Sequence, residues 1–178
     1  MFFDLIRNRR SIRRFLQKEV DPESIDRLVE AALRAPSSRG FNPWRFVVVD
    51  DPVLLEKIST AKPHGASFLK GAPLGIVVLA DTDKSDVWIE DTSIASVFIQ
   101  LAAQSLELGS CWIQIRERNR DERQTAGEYI KGLLNIPKNV TVESVIAVGH
   151  PAETKPGHDA SELQREKVFY NRYEQPYK

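Results

Sequence analysis

The segment from Asp91 to Leu108 restricts the possible folds of this chain more than any other part of the sequence. Its spacing predicts a helix, and a helix that is apolar nearly all round must be buried on several sides. We therefore predict a central helix, with Asp91 and Thr92 as its N-terminal cap and Gly109 as its C′ residue. The apolar positions that surround it are Ile94, Ala95, Val97, Phe98, Ile99, Leu101, Ala102, Ala103 and Leu106.

Short apolar runs elsewhere predict strands, and amphipathic stripes between them predict helices. The clearest helix start is Asp21-Pro22-Glu23, because an acceptor side chain, a proline at the first helical position and an acid in the first turn are typical of helix N-termini. The run at 76–80 is continuously apolar, which indicates a strand covered on both faces. We predict strands at 46–49, 76–80, 111–115 and 145–148, and further helices at 2–8, from 22 to before Pro36, at 52–60 and at 126–134.

Length and charge limit the class of protein. A chain of 178 residues predicts one domain, 1–178, with 152–178 as a C-terminal extension that carries aromatic side chains and wraps a partner or its own surface. Lys and Arg (25) balance Asp and Glu (25), so no overall field favours nucleic acid or an anionic membrane. No apolar run approaches ~18 residues and no signal peptide is visible, so we expect a cytoplasmic protein that does not span a membrane.

Several kinds of site lack support in the sequence. Cys111 is the only cysteine, which excludes disulfides within the chain, and packing in a strand is favoured over a nucleophilic role for it. The histidines lack metal-ligand spacing, and a loop position explains His150 better than a ligand role, so we expect no metal. Neither the G-x-G-x-x-G dinucleotide motif nor a P-loop is present.

Two polar segments suggest a phosphorylated cofactor with a polar ring. Arg9–Phe15 holds four arginines and a serine, and the guanidinium fork matches phosphate oxygens two at a time. Ala35–Phe46 is rich in Gly, Pro and short polar residues, so its backbone N–H groups are free to address a ligand. Simpler alternatives are a solvated basic face for the first segment and, for the second, a helix-ending turn followed by a core strand.

The chain resembles the FMN-dependent nitroreductase family across roughly residues 2–151. The resemblance implies an α+β fold, with a mixed, mostly antiparallel central sheet flanked by helices, in an intertwined homodimer whose two FMN sites lie at the interface. The matching pieces occur in the family's order: Arg9–Phe15, Pro36–Phe46, Gly71-Ala72-Pro73, Glu90-Asp91, Leu108–Ile113 and Val148–Pro151.

The resemblance assigns cofactor-binding roles to the first segment. Arg9 is implied to bind the FMN phosphate, Ser11 the ribityl chain or ring, and Arg13 the region of ring N1 and O2, while Arg10 contributes through its backbone. The family has no acid/base residue that must carry the reaction, since the flavin does, and Arg13 is the residue expected to stabilise the charge that develops at N1 and O2.

The remaining implied contacts come from other parts of the chain. Gln114 and Arg116 match positions near flavin N5 and O4, and a late basic residue, Lys167 or Arg165, is expected to complete the phosphate site. The partner subunit is expected to supply the flank of the flavin through Pro36, Ser37, Ser38, Arg39, Gly40 and Asn42. Here the sequence departs from the family pattern, because many members carry Asn in place of Gly40 and Gln in place of Asn42.

The implied activity is an FMN-dependent NAD(P)H oxidoreductase that reduces nitroaromatics, quinones or a similar small electron acceptor. Hydride transfer through flavin N5 is expected in ping-pong order. Two alternatives stay open: a flavin-binding or storage module without turnover, and another reaction on the same fold, such as reductive dehalogenation, flavin fragmentation or enoyl-type reduction.

Overall fold

The computed structural model describes residues 2–177 and contains an antiparallel sheet between layers of helices. The helices are α1 (Phe2–Asn8), α2 (Pro22–Leu33), α3 (Pro52–Ser59), α4 (Trp88–Ser105) and α5 (Ala126–Leu133). The strands are β1 (Trp44–Val49), β2 (Leu74–Asp81), β3 (Gly109–Gln114) and β4 (Val140–Gly149), and short 3-10 helices cover Ser38–Gly40, Ser67–Gly71, Ala160–Glu162 and Arg165–Lys167.

The strand order in the sheet is β1-β2-β4-β3, and every neighbouring pair is antiparallel. The central strands β2 and β4 are buried along nearly their whole length, as the continuous apolar run at 76–80 predicts. A single parallel bridge, between Ser11 and Ser110, adds the N-terminal segment beside β3. The prediction of an α+β fold with a mostly antiparallel sheet is confirmed.

Each face of the sheet is covered by its own hydrophobic cluster. On one face, α2 and α4 pack through side chains such as Leu28 and Ile99. On the other face, α3 and α5 pack through side chains such as Leu55 and Ile130. Because both faces are covered, the edges of the sheet and the segments beyond the strand ends are the places left for a polar site.

The predicted ends of the long helix α4 are wrong. The helix begins at Trp88, so Asp91 lies within its first turn and does not cap it. At the other end, Glu107 takes the left-handed conformation with φ of 59° that we expected of Gly109. Gly109 instead opens β3, where a Cβ would lie 2.8 Å from Ile12, so glycine is needed there for close packing of the N-terminal segment.

The prediction that α4 is buried on several sides is only partly met within one chain. Ile94, Val97 and Phe98 lie on the outer face of α4 and are between 37% and 47% exposed. Large apolar side chains are also exposed in α1 and in the C-terminal segment 160–177, among them Phe2, Phe3, Val168 and Tyr173. Across residues 2–177, no helix combines the length and the hydropathy that crossing a membrane requires.

Candidate functional site

The arginine-rich segment runs along the end of β3 and is held there by its backbone. The Ile12 N–H donates to the Ser110 carbonyl at 3.0 Å, and the Leu16 N–H donates to the His150 carbonyl at 2.9 Å. Ile12 and Phe15 point into the core and are 8% and 9% exposed. Because Ile12 and Phe15, three positions apart, anchor the segment, the side chains of its arginines are left outside the core.

A carboxylate and a lysine from the segment after β4 complete this region. The Arg13 N–H donates to Glu153 Oε1 at 2.6 Å, and this hydrogen bond holds the pKa of Glu153 below its usual range. Lys155 Nζ donates to the Ser11 carbonyl at 2.8 Å and lies 3.1 Å from Glu153 Oε1. The Arg10 guanidinium donates to the Pro156 carbonyl. The Arg10 side chain is therefore engaged by the segment after β4, and Lys155 lies next to Ser11.

Positive charge converges on the floor of this region. Burial raises the pKa of the Cys111 thiol, and the nearby cations oppose that rise. These cations are Arg13, Lys155 and Arg9. In the described part of the chain, no carboxylate lies within 4.0 Å of the guanidinium of Arg9 or Arg13. Two unpaired guanidiniums and a lysine beside exposed backbone fit the phosphate of a bound nucleotide cofactor.

The second predicted segment forms a tight loop with an unusual backbone. Arg39 and Asn42 have φ values of 52° and 48°, in the left-handed region that side chains with a Cβ rarely adopt. Ser37 and Asn42 bind each other, because the Ser37 hydroxyl donates to Asn42 Oδ1 at 2.7 Å and accepts from the Asn42 N–H at 2.9 Å. Gly40 has φ of 69°, and nothing lies within 4 Å of the place where a Cβ would stand. The loop is shaped by its own hydrogen bonds and leaves open space at Gly40.

Asp91 anchors this loop to the first turn of α4. Its carboxylate is 2% exposed and accepts from the Ser38 N–H at 2.8 Å and from the Ser85 hydroxyl at 3.0 Å. Arg39 is held from outside, since its guanidinium lies 2.5 Å from Asp86 Oδ1 and 4.6 Å from the centre of the Phe41 ring. The sequence assigned Asp91 to capping, and its role as an anchor for Ser38 was missed.

The two segments lie at opposite ends of α4 within one chain. Ser38 is fixed to Asp91 in the first turn of the helix, whereas Ser11 pairs with Ser110, a few residues beyond its last turn. Because an α-helix rises about 1.5 Å per residue, the two segments are on the order of 20 Å apart. Residues 9–13 and 36–42 of one chain therefore do not meet around a single small ligand.

Gln114 and Arg116 lie at the far end of β3 and are engaged within the chain. Gln114 Oε1 accepts from Trp112 Nε1 at 2.9 Å, and its Nε2 donates to the Arg116 carbonyl at 3.1 Å. Arg116 Nε lies 3.1 Å from Glu143 Oε2, and Glu143 is only 2% exposed. Burial raises the pKa of Glu143, and Arg116 opposes this rise. A contact of Gln114 or Arg116 with a flavin would have to coexist with these partners.

The late basic residues expected at the phosphate site lie in the C-terminal segment. Arg165 and Lys167 belong to an exposed 3-10 helix in the C-terminal segment, and no described contact joins them to Arg9 or Ser11. Lys155 is the late lysine that touches the segment, through the Ser11 carbonyl. In the sequence, the only feature that pointed to Lys155 was its position in the Pro- and charge-rich stretch after β4. Within residues 2–177, no group of three or more His, Cys, Asp or Glu side chains is arranged to hold a metal ion.

Comparison with known proteins shows which family the chain resembles. Residues 6–63 and 60–150 match the family model described as the nitroreductase family. The chain is 38% identical over 165 residues to a protein of Methanothermobacter thermautotrophicus that is provisionally named NADH dehydrogenase/NAD(P)H nitroreductase. That similarity covers 91% of this chain and 83% of the relative.

A solved structure is also closely similar. An FMN-dependent nitroreductase from Clostridium difficile R20291 superposes with a TM-score of 0.95 at 45% identity, over 96% of this chain and 99% of that one. An iodotyrosine deiodinase of Thermotoga neapolitana is 24% identical over 191 residues, covering 92% of this chain and 95% of the relative.

Proposed function

Because the chain belongs to the nitroreductase family, we propose that it is a homodimeric, FMN-dependent NAD(P)H oxidoreductase that reduces nitroaromatics, quinones or a similar small electron acceptor. The names of two relatives support the cofactor and the reductant: an FMN-dependent nitroreductase and an FMN reductase [NAD(P)H]. When bound, FMN would supply the two-electron chemistry that links NAD(P)H to the acceptor, with hydride transfer through N5 in ping-pong order as part of the proposal.

The observation that carries the proposal is the separation of the two polar segments within one chain. Unpaired Arg9 and Arg13 stand at one end of α4, and the Ser38–Gly40 loop stands at the other. The outer face of α4 between them is apolar and exposed through Ile94, Val97 and Phe98. If two chains pack through these faces in opposite directions, the arginines of one chain come beside the loop of its partner. Each dimer then holds two complete sites.

Within such a site, the residues of the chain bind and position the cofactor. Arg9 and Lys155 hold the phosphate, and Lys167 or Arg165 completes the phosphate site. Ser11 contacts the ribityl chain or ring. Arg13 stabilises the negative charge that reduction develops at N1 and O2, because a guanidinium is always protonated. The proposed contacts of the other subunit are Pro36, Ser37, Ser38, Arg39, Gly40 and Asn42, and those at the far end of β3 are Gln114 and Arg116.

A complementation experiment tests whether the sites are shared between chains. Arg9→Ala and Asp91→Ala damage opposite halves of the site, so each variant alone should bind FMN weakly. In a mixed dimer one site carries both defects and the other carries none, so co-expression of the two variants should restore tight FMN binding to part of the protein. If each site were built within one chain, mixing the variants would restore nothing.

Turnover distinguishes an enzyme from a storage module. With a nitroaromatic or quinone acceptor in excess, the protein should consume many equivalents of NADH or NADPH per flavin. A flavin-storing protein would be reduced once and then stop. A halogenated tyrosine offered as acceptor, with halide release as the readout, tests the reductive dehalogenation that the similarity to a deiodinase keeps open.

A further inference from the structure

A basic groove lies beside the N-terminal segment and has no role in the proposed flavin contacts. It has a volume of about 530 Å³ and lies between the end of α3, the segment that follows it and the loop before α5. Lys62, Lys70 and Arg120 line it, and Arg118 is close enough to Lys62 to repel its charge. We refer to these four residues as the basic groove.

The cations of the basic groove form no ion pair in the described part of the chain. Within residues 2–177, none of them has a carboxylate within 4.0 Å. Two acids also line the groove, Glu56 and Asp121. Asp121 already accepts hydrogen bonds from the backbone N–H groups of residues 123 and 124, at 2.8 and 3.0 Å. Three lining cations therefore face two acids, and Arg118 adds a fourth positive charge near Lys62.

Lys62 and Arg120 hold defined positions in the groove. Lys62 is half-buried and folds back over the turn at Gly65. Partial burial lowers the pKa of Lys62, and repulsion by Arg118 lowers it further. The Arg120 guanidinium stacks on the Tyr129 ring at 3.7 Å from its centre. A bound anion would relieve the repulsion and meet a guanidinium that is already oriented.

The groove adjoins the Arg13 side of the proposed flavin site. Its lining residue Ser67 precedes Phe68, whose ring centre lies 5.8 Å from the Arg13 guanidinium. A ligand bound in the basic groove would therefore lie on the Arg13 side of the proposed flavin site.

We propose that the basic groove binds the 2′-phosphate of NADPH and makes NADPH the preferred reductant. The inference rests on the proposed function. NADPH and NADH differ only by this phosphate, which at neutral pH carries close to two negative charges and three acceptor oxygens. Clustered Lys and Arg side chains match such a group, whereas they offer no selective contact to the uncharged 2′-hydroxyl of NADH.

Steady-state kinetics with both reductants tests the preference. The wild-type protein should have a kcat/KM for NADPH at least about tenfold above that for NADH, the size expected from one or two charge-assisted hydrogen bonds. Lys62→Gln and Arg120→Gln should each lower the preference several-fold by raising KM for NADPH, with the kinetics of NADH changed less than twofold. Lys138→Gln, which removes an exposed lysine outside the groove, should leave the preference intact. An equal kcat/KM for the two reductants overturns the inference.

Direct binding separates this inference from the proposed function. In calorimetry with the FMN-loaded protein, adenosine 2′-phosphate should bind measurably more tightly than adenosine, and Lys62→Gln should remove the difference. Equal binding of the two compounds overturns the inference even if NADH and NADPH are both oxidised. Failure of both reductants to support turnover refutes the proposed function instead. The acceptor is the alternative ligand of the groove. If kcat/KM is higher for 4-nitrobenzoate than for nitrobenzene, if Lys62→Gln abolishes this difference, and if NADPH is not preferred, the groove binds the acceptor and the inference is overturned.

Discussion

Replacing Asp91 by alanine tests how the loop at 36–42 is held in place. Asp91 is buried, and its carboxylate accepts from the Ser38 N–H at 2.8 Å and from the Ser85 hydroxyl at 3.0 Å. Asp91→Ala removes both acceptors and leaves two polar groups without their partner. The Ser38 N–H thereby loses its hydrogen bond to α4.

The magnitude follows from the two hydrogen bonds. Each bond to a charged group contributes about 1.5–3 kcal/mol, and part of this is offset because a buried carboxylate no longer has to be desolvated. We expect a net loss of about 2–4 kcal/mol in the free energy of unfolding. For a chain of this size that loss corresponds to a decrease in Tm of roughly 5–15 °C.

The effect on the cofactor is expected to be larger than the loss of stability alone explains. Arg39 and Asn42 are held in left-handed conformations, each of which costs about 1 kcal/mol or more and persists only when its surroundings impose it. Without Asp91 the loop relaxes, so FMN affinity measured by quenching of flavin fluorescence should fall about tenfold or more at a temperature where the protein is folded.

Two matched variants serve as controls for this prediction. Asp91→Asn keeps an acceptor for the Ser38 N–H and should recover most of the stability and of the FMN affinity. Asp86→Asn breaks only the exposed ion pair with Arg39 and should change stability by less than about 1 kcal/mol. If Asp91→Ala matches the wild type in both Tm and FMN affinity, Asp91 does not hold the loop and the reasoning is refuted.

Three further perturbations address the electrostatics and the packing of the site. Burial raises the pKa of Glu143, so the native state binds its proton more tightly than the unfolded state does, and stability should fall as pH rises from about 4.5, the ordinary value, through the raised pKa. Glu143→Gln should not show this loss of stability in denaturant titrations. If the difference in unfolding free energy between the wild type and the variant does not change with pH, the prediction is contradicted. Arg13→Gln should lower the flavin midpoint potential by a few tens of millivolts in a redox titration. The upper limit is roughly 90 mV, because a unit charge at ~4 Å is worth about 4 kcal/mol at an effective dielectric of ~20, and an unchanged potential would mean that Arg13 does not face the ring. Gly109→Ala places a Cβ 2.8 Å from Ile12 and should destabilise by about 1–3 kcal/mol, whereas Gly127→Ala in α5, with nothing within 4 Å, should be neutral or stabilising; equal Tm values for the two would refute the packing argument.

The sequence predicted those features that local signals determine. The Asp21 side chain accepts from the Ser24 N–H at 2.9 Å and starts α2 as its Asp-Pro-Glu signature predicts. The continuous apolar run at 76–80 lies in β2 and is buried on both faces. Both predictions depend on residues within a few positions of one another, where periodicity and capping preferences act directly.

The features that the sequence did not predict depend on contacts between distant residues. Asp91 reads as a cap because acids are common in the first turn of a helix, yet its partner Ser38 lies 53 positions away. Lys155 meets the Ser11 carbonyl across 144 positions, so nothing in its own neighbourhood marks it as part of the arginine cluster. We expected the apolar outer face of α4 to be buried, but within one chain it is exposed. Periodicity shows that a helix face is apolar, but it does not show which chain covers that face.

The most direct test of the central claim is the identity and amount of flavin that the protein holds. The protein purified and reconstituted with FMN should be yellow, should hold one FMN per chain, and should release it on denaturation as FMN by mass spectrometry. Light scattering of the same sample should give a dimer, and dilution should dissociate the flavin and the subunits together. Recovery of FAD, of another chromophore or of no flavin would contradict the account, as would a monomer that retains one FMN per chain.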